Sequence, residues 1–199
     1  MTLLLLVRHG ETDWNAERRL QGREDRPLSA RGRGQARALA PYVARYRPDH
    51  VTCSPLLRTR QTAHLLGVTV SGLDPRWQEA DLGSWTGRTR EELVATGDGG
   101  YAAWRAGSYQ PPGAEPLTAL RLRVAAAIDD LAIGGGVHLV VTHGGPIRAA
   151  CHLLVALEPA ALVPVPPGSL TVFDLGGPRP RLRAFNVAPG PEEVGDSTD

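Results

Sequence analysis

Five apolar residues, Leu3-Leu4-Leu5-Leu6-Val7, stop abruptly at Arg8-His9-Gly10. A short, wholly apolar run of this kind reads as a strand buried on both faces of an α/β sheet. Open α/β sheets bind ligands beyond the carboxyl ends of their strands. Arg8 and His9 therefore stand where a central strand delivers a cation and a nucleophile into a cleft.

The rest of the chain repeats the pattern. Strands are expected at Thr2–Val7, His50–Cys53, Val137–Thr142, Leu170–Leu175 and Arg181–Val187. The first three are of the buried parallel type, and the last two flank a Gly-Gly-Pro turn as an antiparallel pair. Between them fall helical stretches. One is capped by Ser29, with Ala36, Leu39, Ala40 and Val43 on its apolar face and Pro41 weakening and kinking it. Others are expected at Pro55–Leu66, opened by Ser54-Pro55, at Glu115–Ile133 and at Pro146–Leu157. The alternation predicts one α/β domain over 1–187, with a mostly parallel central sheet and helices on both faces. Segment 67–115, rich in Gly, Pro and Trp, reads as an excursion over the carboxyl edge of that sheet. Residues 188–199 carry Glu192, Glu193, Asp196 and Asp199 with no cation, the composition of a loose acidic tail.

Composition narrows the function classes. A net charge of +1 gives no electrostatic case for a nucleic-acid or membrane partner. The N-terminal apolar run is too short for a signal segment, and no stretch nears the roughly 20 apolar residues of a membrane span, so a cytoplasmic location is expected. Cys53 and Cys151 lack Cys-x-x-Cys spacing and read as buried, reduced thiols. All 22 basic residues are arginine, so every cationic side-chain contact to a phosphate must come from a guanidinium.

Three strand ends carry similar groups: Arg8-His9-Gly10, then Cys53-Ser54-Pro55-Leu56-Leu57-Arg58, then Thr142-His143-Gly144-Gly145. Two arginines and two histidines converging without a built-in acidic counter-ion suit a phosphate dianion, which a guanidinium meets with paired charge-assisted hydrogen bonds. His143-Gly144 also opens a helix, so backbone N–H groups face the same anion.

At this level of detail the chain resembles the histidine phosphatase superfamily, which includes the cofactor-dependent phosphoglycerate mutases. The matching blocks are Leu6-Val7-Arg8-His9-Gly10-Glu11-Thr12 with Trp14-Asn15; Leu20-Gln21-Gly22-Arg23 through Ser29; Ser54-Pro55-Leu56-Leu57-Arg58 through Ala63; Glu79-Ala80-Asp81-Leu82-Gly83-Ser84-Trp85-Thr86-Gly87; and Thr142-His143-Gly144-Gly145. The resemblance implies that His9 attacks phosphorus to give a phosphohistidine. It implies that Arg8, Arg58 and His143 hold the phosphate, with Asn15, Gln21, Gly22 and Gly144 in the binding set. Glu79 is implied as proton donor to the leaving alcohol and then base for water. Physical chemistry agrees: two guanidiniums keep a histidine neutral in the empty site, and a bound phosphate favours the protonated carboxyl that a general acid needs. Neither metal nor cofactor is expected, because the guanidiniums oppose a dication at His9 and His143.

Competing readings stand beside these. Asp81, two residues from Glu79, is a rival acid. Arg8 and Arg58 are alternatively structural, although two arginines at adjacent strand ends repel one another without an anion between them. His50, His64, His138 and His152 fit no motif. Gly32-Arg33-Gly34 falls inside a helix and reads as no phosphate loop. Trp85, Tyr101, Trp104 and Tyr109 form either a substrate-facing wall or packing for the excursion.

Within the superfamily, 64 positions separate Glu79 from His143, which leaves little room for the long insertion of phosphoglycerate mutases. The lysine those enzymes set against the substrate carboxylate is absent. The expected activity is therefore phosphomonoester hydrolysis on a small phosphorylated metabolite. The short form and the segment Val165-Pro166-Pro167-Gly168-Ser169 most resemble small bacterial phosphatases, including those acting on α-ribazole 5′-phosphate. A phosphoglycerate mutase and an idle phosphate-binding module are the alternatives.

Overall fold

The leucine run is explained by the parity of its side chains. In the computed structural model, which describes residues 2–194, strand β1 (Thr2–Arg8) lies inside a six-stranded sheet. Leu4 and Leu6 pack with Val140 and Phe173 under one helical layer. Leu3, Leu5 and Val7 pack with Val141 and Val172 under the other. Side chains alternate between the faces of a strand, so a strand covered on both sides needs apolar residues at every position. Each fully buried leucine contributes about 2 kcal/mol to this arrangement.

The remaining strands are β2 (His50–Cys53), β3 (Gly72–Leu73), β4 (Gly136–Thr142), β5 (Leu170–Asp174) and β6 (Arg181–Val187), in the spatial order β3-β2-β4-β1-β5-β6. β1 and β2 flank β4 in parallel, β3 runs parallel to β2, and β5 and β6 continue the sheet antiparallel. The helices are α1 (Asp13–Ala16), α2 (Ala30–Ala44), α3 (Leu57–Leu65), α4 (Arg90–Ala95), α5 (Gly100–Ala106), α6 (Leu117–Gly134), α7 (Gly144–Val155) and α8 (Pro191–Val194). Leu39 and Val43 of α2 and Ala63 of α3 cover the Leu3/Leu5 face. Val124 and Ile128 of α6 and Ile147 and Cys151 of α7 cover the Leu4/Leu6 face. This is the α/β architecture expected, with helices on both faces.

Several local expectations are corrected. Ser54-Pro55 does not open α3: the helix begins at Leu57 with Leu56 at its N-cap, and the Ser54 hydroxyl is bonded elsewhere. α7 begins at Gly144, not Pro146, and Pro146 sits in its first turn, where a missing N–H costs nothing. α2 continues through Pro41 to Ala44. β3 was not foreseen, because its two residues are both exposed and carry no apolar pattern. At the C-terminus α8 rests on α2, with the Tyr42 hydroxyl donating to Glu193 at 3.0 Å; residues 195–199 of the expected tail lie outside the described residues. Both cysteines are buried and free. Among the described residues no helix is long and apolar enough to cross a membrane.

Candidate active site

Parallel register brings three strand ends level. Arg8 pairs with Thr142 and Cys53 with Val141, so His9, Ser54 and His143 leave the sheet side by side. The chain then turns sharply at Gly10, which lies against Gly32 of α2. A Cβ at Gly10 would sit 2.3 Å from the Gly32 carbonyl oxygen, and one at Gly32 would sit 2.0 Å from that of Glu11. The Gly32-Arg33-Gly34 segment thus has a packing role that its sequence did not reveal: it lets α2 approach the His9 turn.

His9 is buried, and its Nδ1 lies 2.7 Å from the Gly10 carbonyl oxygen. A carbonyl only accepts, so Nδ1 carries the proton and Nε2 keeps its lone pair. Burial, then the charges of Arg58 and Arg8, hold the ring's pKa well below the ordinary histidine value. A depressed pKa means a neutral ring at neutral pH and below, until the medium becomes distinctly acidic.

His143 meets His9 edge-on, with ring centroids 5.2 Å apart. Its Nδ1 accepts from Arg58 Nε at 3.2 Å. Because a guanidinium only donates, the His143 proton resides on Nε2, which donates to Ser54 Oγ at 2.8 Å. Burial first, then Arg58, also holds this ring neutral. His143 is fully buried behind the wall of the cavity described below rather than part of its lining.

Arg58 is fixed on every side. Besides His143 it donates to the carbonyls of Glu24 at 2.6 Å and Gly22 at 2.8 Å, and burial pushes its pKa down to about 10. Arg8 donates through Nη1 to the Val165 carbonyl, while its buried Nε has no partner among the described residues. Neither arginine has a carboxylate at ion-pair distance among the described residues.

These groups open into a cavity of about 260 Å³ lined by Arg8, His9, Asn15, Gln21, Arg58 and Glu79, among others. Asn15 accepts the Thr12 N–H and hydroxyl at Oδ1, both at 3.1 Å, which leaves its amide N–H groups as donors. Gln21 is buried, with Oε1 unpartnered. Gly22 and Gly144 also lie in the lining. No group of three or more His, Cys, Asp or Glu side chains among the described residues is placed to hold a metal ion.

Glu79 sits on the N-terminus of α7. Its carboxylate accepts the Gly145 N–H at 3.1 and 3.2 Å and the Ala80 N–H at 2.9 Å. A Cβ at Gly145 would lie 2.1 Å from Glu79 Oε1, so the second glycine of the motif is the one that makes room for the acid. Asp81 faces the same cavity, but its Oδ1 accepts the Gly83 N–H at 2.9 Å and so closes a turn.

Sequence reasoning missed the support beneath Glu79. Arg123 of α6 donates to the carbonyls of Arg76, Gln78 and Glu79 at 2.6, 2.8 and 3.2 Å, and pairs with Glu115. Arg23 adds a bond to the Glu79 carbonyl and an ion pair to Glu115. It also missed Arg105, Arg121 and Arg148, which line the outer cavity with Tyr101, Trp104 and Tyr109. One faint signal existed: Arg148 follows Gly144 by four residues and so shares its helical face. Of the two readings of the aromatics, each holds in part. Tyr101, Trp104 and Tyr109 face the cavity, and Trp85 packs behind them, 5.5 Å from Tyr109 and 5.9 Å from Trp104.

Comparison with known proteins matches residues 4–188 to the histidine phosphatase superfamily (branch 1). The probable phosphoglycerate mutase GpmB of Enterobacter sp. (strain 638) is 38% identical over 151 residues, covering 72% of this chain and 70% of its own. The glucosyl-3-phosphoglycerate phosphatase of Mycobacterium tuberculosis (strain ATCC 25618 / H37Rv) is 33% identical over 171 residues, covering 79% of this chain and 77% of its own. The solved structure of a mycobacterial glucosyl-3-phosphoglycerate phosphatase complexed with VO3 superposes with a TM-score of 0.86 at 31% identity, covering 94% of this chain and 100% of that one.

Proposed function

Because this chain belongs to the histidine phosphatase superfamily and is a phosphatase, we propose that it hydrolyses a small phosphomonoester through a phosphohistidine at His9. One observation carries the reading. The Gly10 carbonyl fixes the proton of a neutral His9 on Nδ1 and leaves the Nε2 lone pair free, beside two guanidiniums that have no carboxylate at ion-pair distance among the described residues.

His9 Nε2 attacks phosphorus, forming an N–P bond as the ester P–O bond breaks. Charge spreading over the phosphoryl oxygens is met by Arg8, Arg58 and the amide of Asn15, with Gln21, Gly22 and Gly144 lining the phosphate end. Glu79, which lines the same cavity, is the general acid that gives a proton to the departing alkoxide. The carboxylate then takes a proton from water as that water attacks phosphorus, the N–P bond breaks and phosphate leaves. His143 acts through Arg58, whose guanidinium plane it holds from Nδ1.

A second reading, transfer of the phosphoryl group back to substrate, is favoured by the 38% identity to a probable phosphoglycerate mutase. The short span between Glu79 and His143 and the absence of lysine favour water as acceptor. Supplying 3-phosphoglycerate with a bisphosphoglycerate primer separates the two. We expect inorganic phosphate with little 2-phosphoglycerate, and fast primer-dependent isomerisation would overturn the hydrolytic reading.

A further inference from the structure

The turn after His9 is anchored by side chains. Three successive backbone N–H groups donate to side-chain oxygens: Gly10 to Thr62 Oγ1 at 3.1 Å, Glu11 to Gln35 Oε1 at 2.9 Å and Thr12 to Asn15 Oδ1 at 3.1 Å. The need for anchors follows from the packing. Position 10 has to be glycine because Gly32 of α2 lies against it, and a glycine leaves the backbone on either side of it free to rotate. Gln35 stands one turn along α2 from Gly32 and so shares its face. Its stem fills the space that Gly168 leaves. A Cβ at Gly168 would lie 2.7 Å from that of Gln35, and the Gly168 N–H donates to the His9 carbonyl at 2.9 Å.

Of these anchors, Gln35 holds the peptide that bears on the nucleophile. The Glu11 N–H and the Gly10 carbonyl belong to one planar unit. Fixing that N–H fixes the direction of the carbonyl, which accepts from His9 Nδ1 at 2.7 Å. We infer that Gln35 is a positioning residue for the nucleophile, acting through the Gly10–Glu11 peptide to keep the His9 proton on Nδ1 and the lone pair on Nε2. The inference rests on the reading of His9 as nucleophile. Chained hydrogen bonds polarise one another, so acceptance at the N–H makes the carbonyl a stronger acceptor. Burial, Arg58 and Arg8 lower the pKa of the His9 ring, in that order, and the Gly10 carbonyl opposes them. Gln35 thereby supports the contact that preserves the ring's basicity among cations.

Ring-nitrogen NMR of ¹⁵N-labelled enzyme without substrate reads the tautomer. The pre-steady-state burst with p-nitrophenyl phosphate reads the nucleophile with little demand on an acid. In the unaltered enzyme Nδ1 of His9 should be protonated and Nε2 bare. Gln35→Met, close in length but without an acceptor for the N–H, should populate the Nε2-protonated form and slow the burst about tenfold. Gln35→Glu keeps an acceptor and should keep the tautomer and most of the burst. Either readout unmoved in Gln35→Met, or the tautomer lost in Gln35→Glu, would overturn the inference. So would equal scrambling in Thr62→Val, which cuts the anchor of the preceding peptide and leaves that of Glu11, because the cause would then be a loosened turn. Should Gln35→Met not fold, Gln35→Asn withdraws the acceptor by one methylene and carries the same two expectations. The two levels separate cleanly. If the unaltered enzyme forms no phosphohistidine at His9, the nucleophile reading fails and the inference with it; if it does while the tautomer ignores Gln35, only the inference fails.

Discussion

At the inner end of the cavity Arg58 spends its nitrogens on His143, Gly22 and Glu24, and both histidines have their protons assigned by fixed partners. At the outer end, among the described residues, Arg121 and Arg148 keep buried Nε groups with no partner, and Arg105 has no carboxylate at ion-pair distance. His9 and His143 follow strand ends locked by parallel pairing, and Arg58 stands in the first turn of α3 after β2. The outer ones come from three different helices, α5, α6 and α7. The first arrangement costs no reorganisation at the moment of reaction, which is what stabilising a transition state requires. The second leaves buried donors on α6 and α7 without a partner among the described residues. The two ends of one cavity thus differ in how far the protein itself fixes their charged groups, and that difference can be tested by experiment.

Short of removing the nucleophile, the largest effect should come from Glu79→Gln, which keeps size but cannot donate a carboxyl proton. Phosphohistidine formation from an alkyl phosphate, followed as a pre-steady-state burst, should slow about 10²–10⁴-fold. The same burst with p-nitrophenyl phosphate should slow much less, because nitrophenolate leaves without help. Equal losses for the two substrates would move the acid role to Asp81.

A smaller effect is expected one step back. Arg123→Gln removes the bonds that hold the Arg76, Gln78 and Glu79 carbonyls, so Glu79 should lose its position rather than its chemistry. The expected loss is about tenfold in kcat for an alkyl phosphate, again with the nitrophenyl ester spared. A variant that merely loosens the fold would slow both esters alike.

The smallest effect is the absence of a titration. With burial, Arg58 and Arg8 all lowering its pKa, His9 in the empty enzyme should show no protonation by NMR as pH falls through 6.5. Arg58→Gln should move the transition upward, since it removes one of the opposing charges. The same shift has a stability consequence. The unfolded chain takes up protons at His9 and His143 near the ordinary histidine pKa while the native state does not, so stability falls as pH drops below that value. A native His9 titrating at or above 6.5 would remove the inner end's claim to a preset nucleophile.

Legibility in the sequence follows the same division. β1, β2 and β4 could be read because burial on both faces writes itself as an unbroken apolar run, and Arg8, His9, Glu79 and His143 fall in blocks whose order is visible. What could not be read depends on contacts far apart in the chain. Ser54-Pro55 has the pattern of a helix start, and the sequence cannot show His143 Nε2 lying 2.8 Å from the Ser54 hydroxyl. Nor can the sequence show that the two ring nitrogens of His143 bond to Ser54 and Arg58. Arg105, Arg121, Arg123 and Arg148 were lost among 22 arginines, since only the packing of α5, α6 and α7 distinguishes them from arginines on a solvated face.

The central claim is a preset histidine nucleophile, and trapping its intermediate tests it most directly. Enzyme mixed with a ³²P-labelled phosphomonoester and quenched rapidly in base should carry label on His9, located by mass spectrometry of the peptide that contains it. His9→Ala should show neither label nor turnover. Full turnover in that variant, or label on another residue with His9 unmodified, would contradict the account.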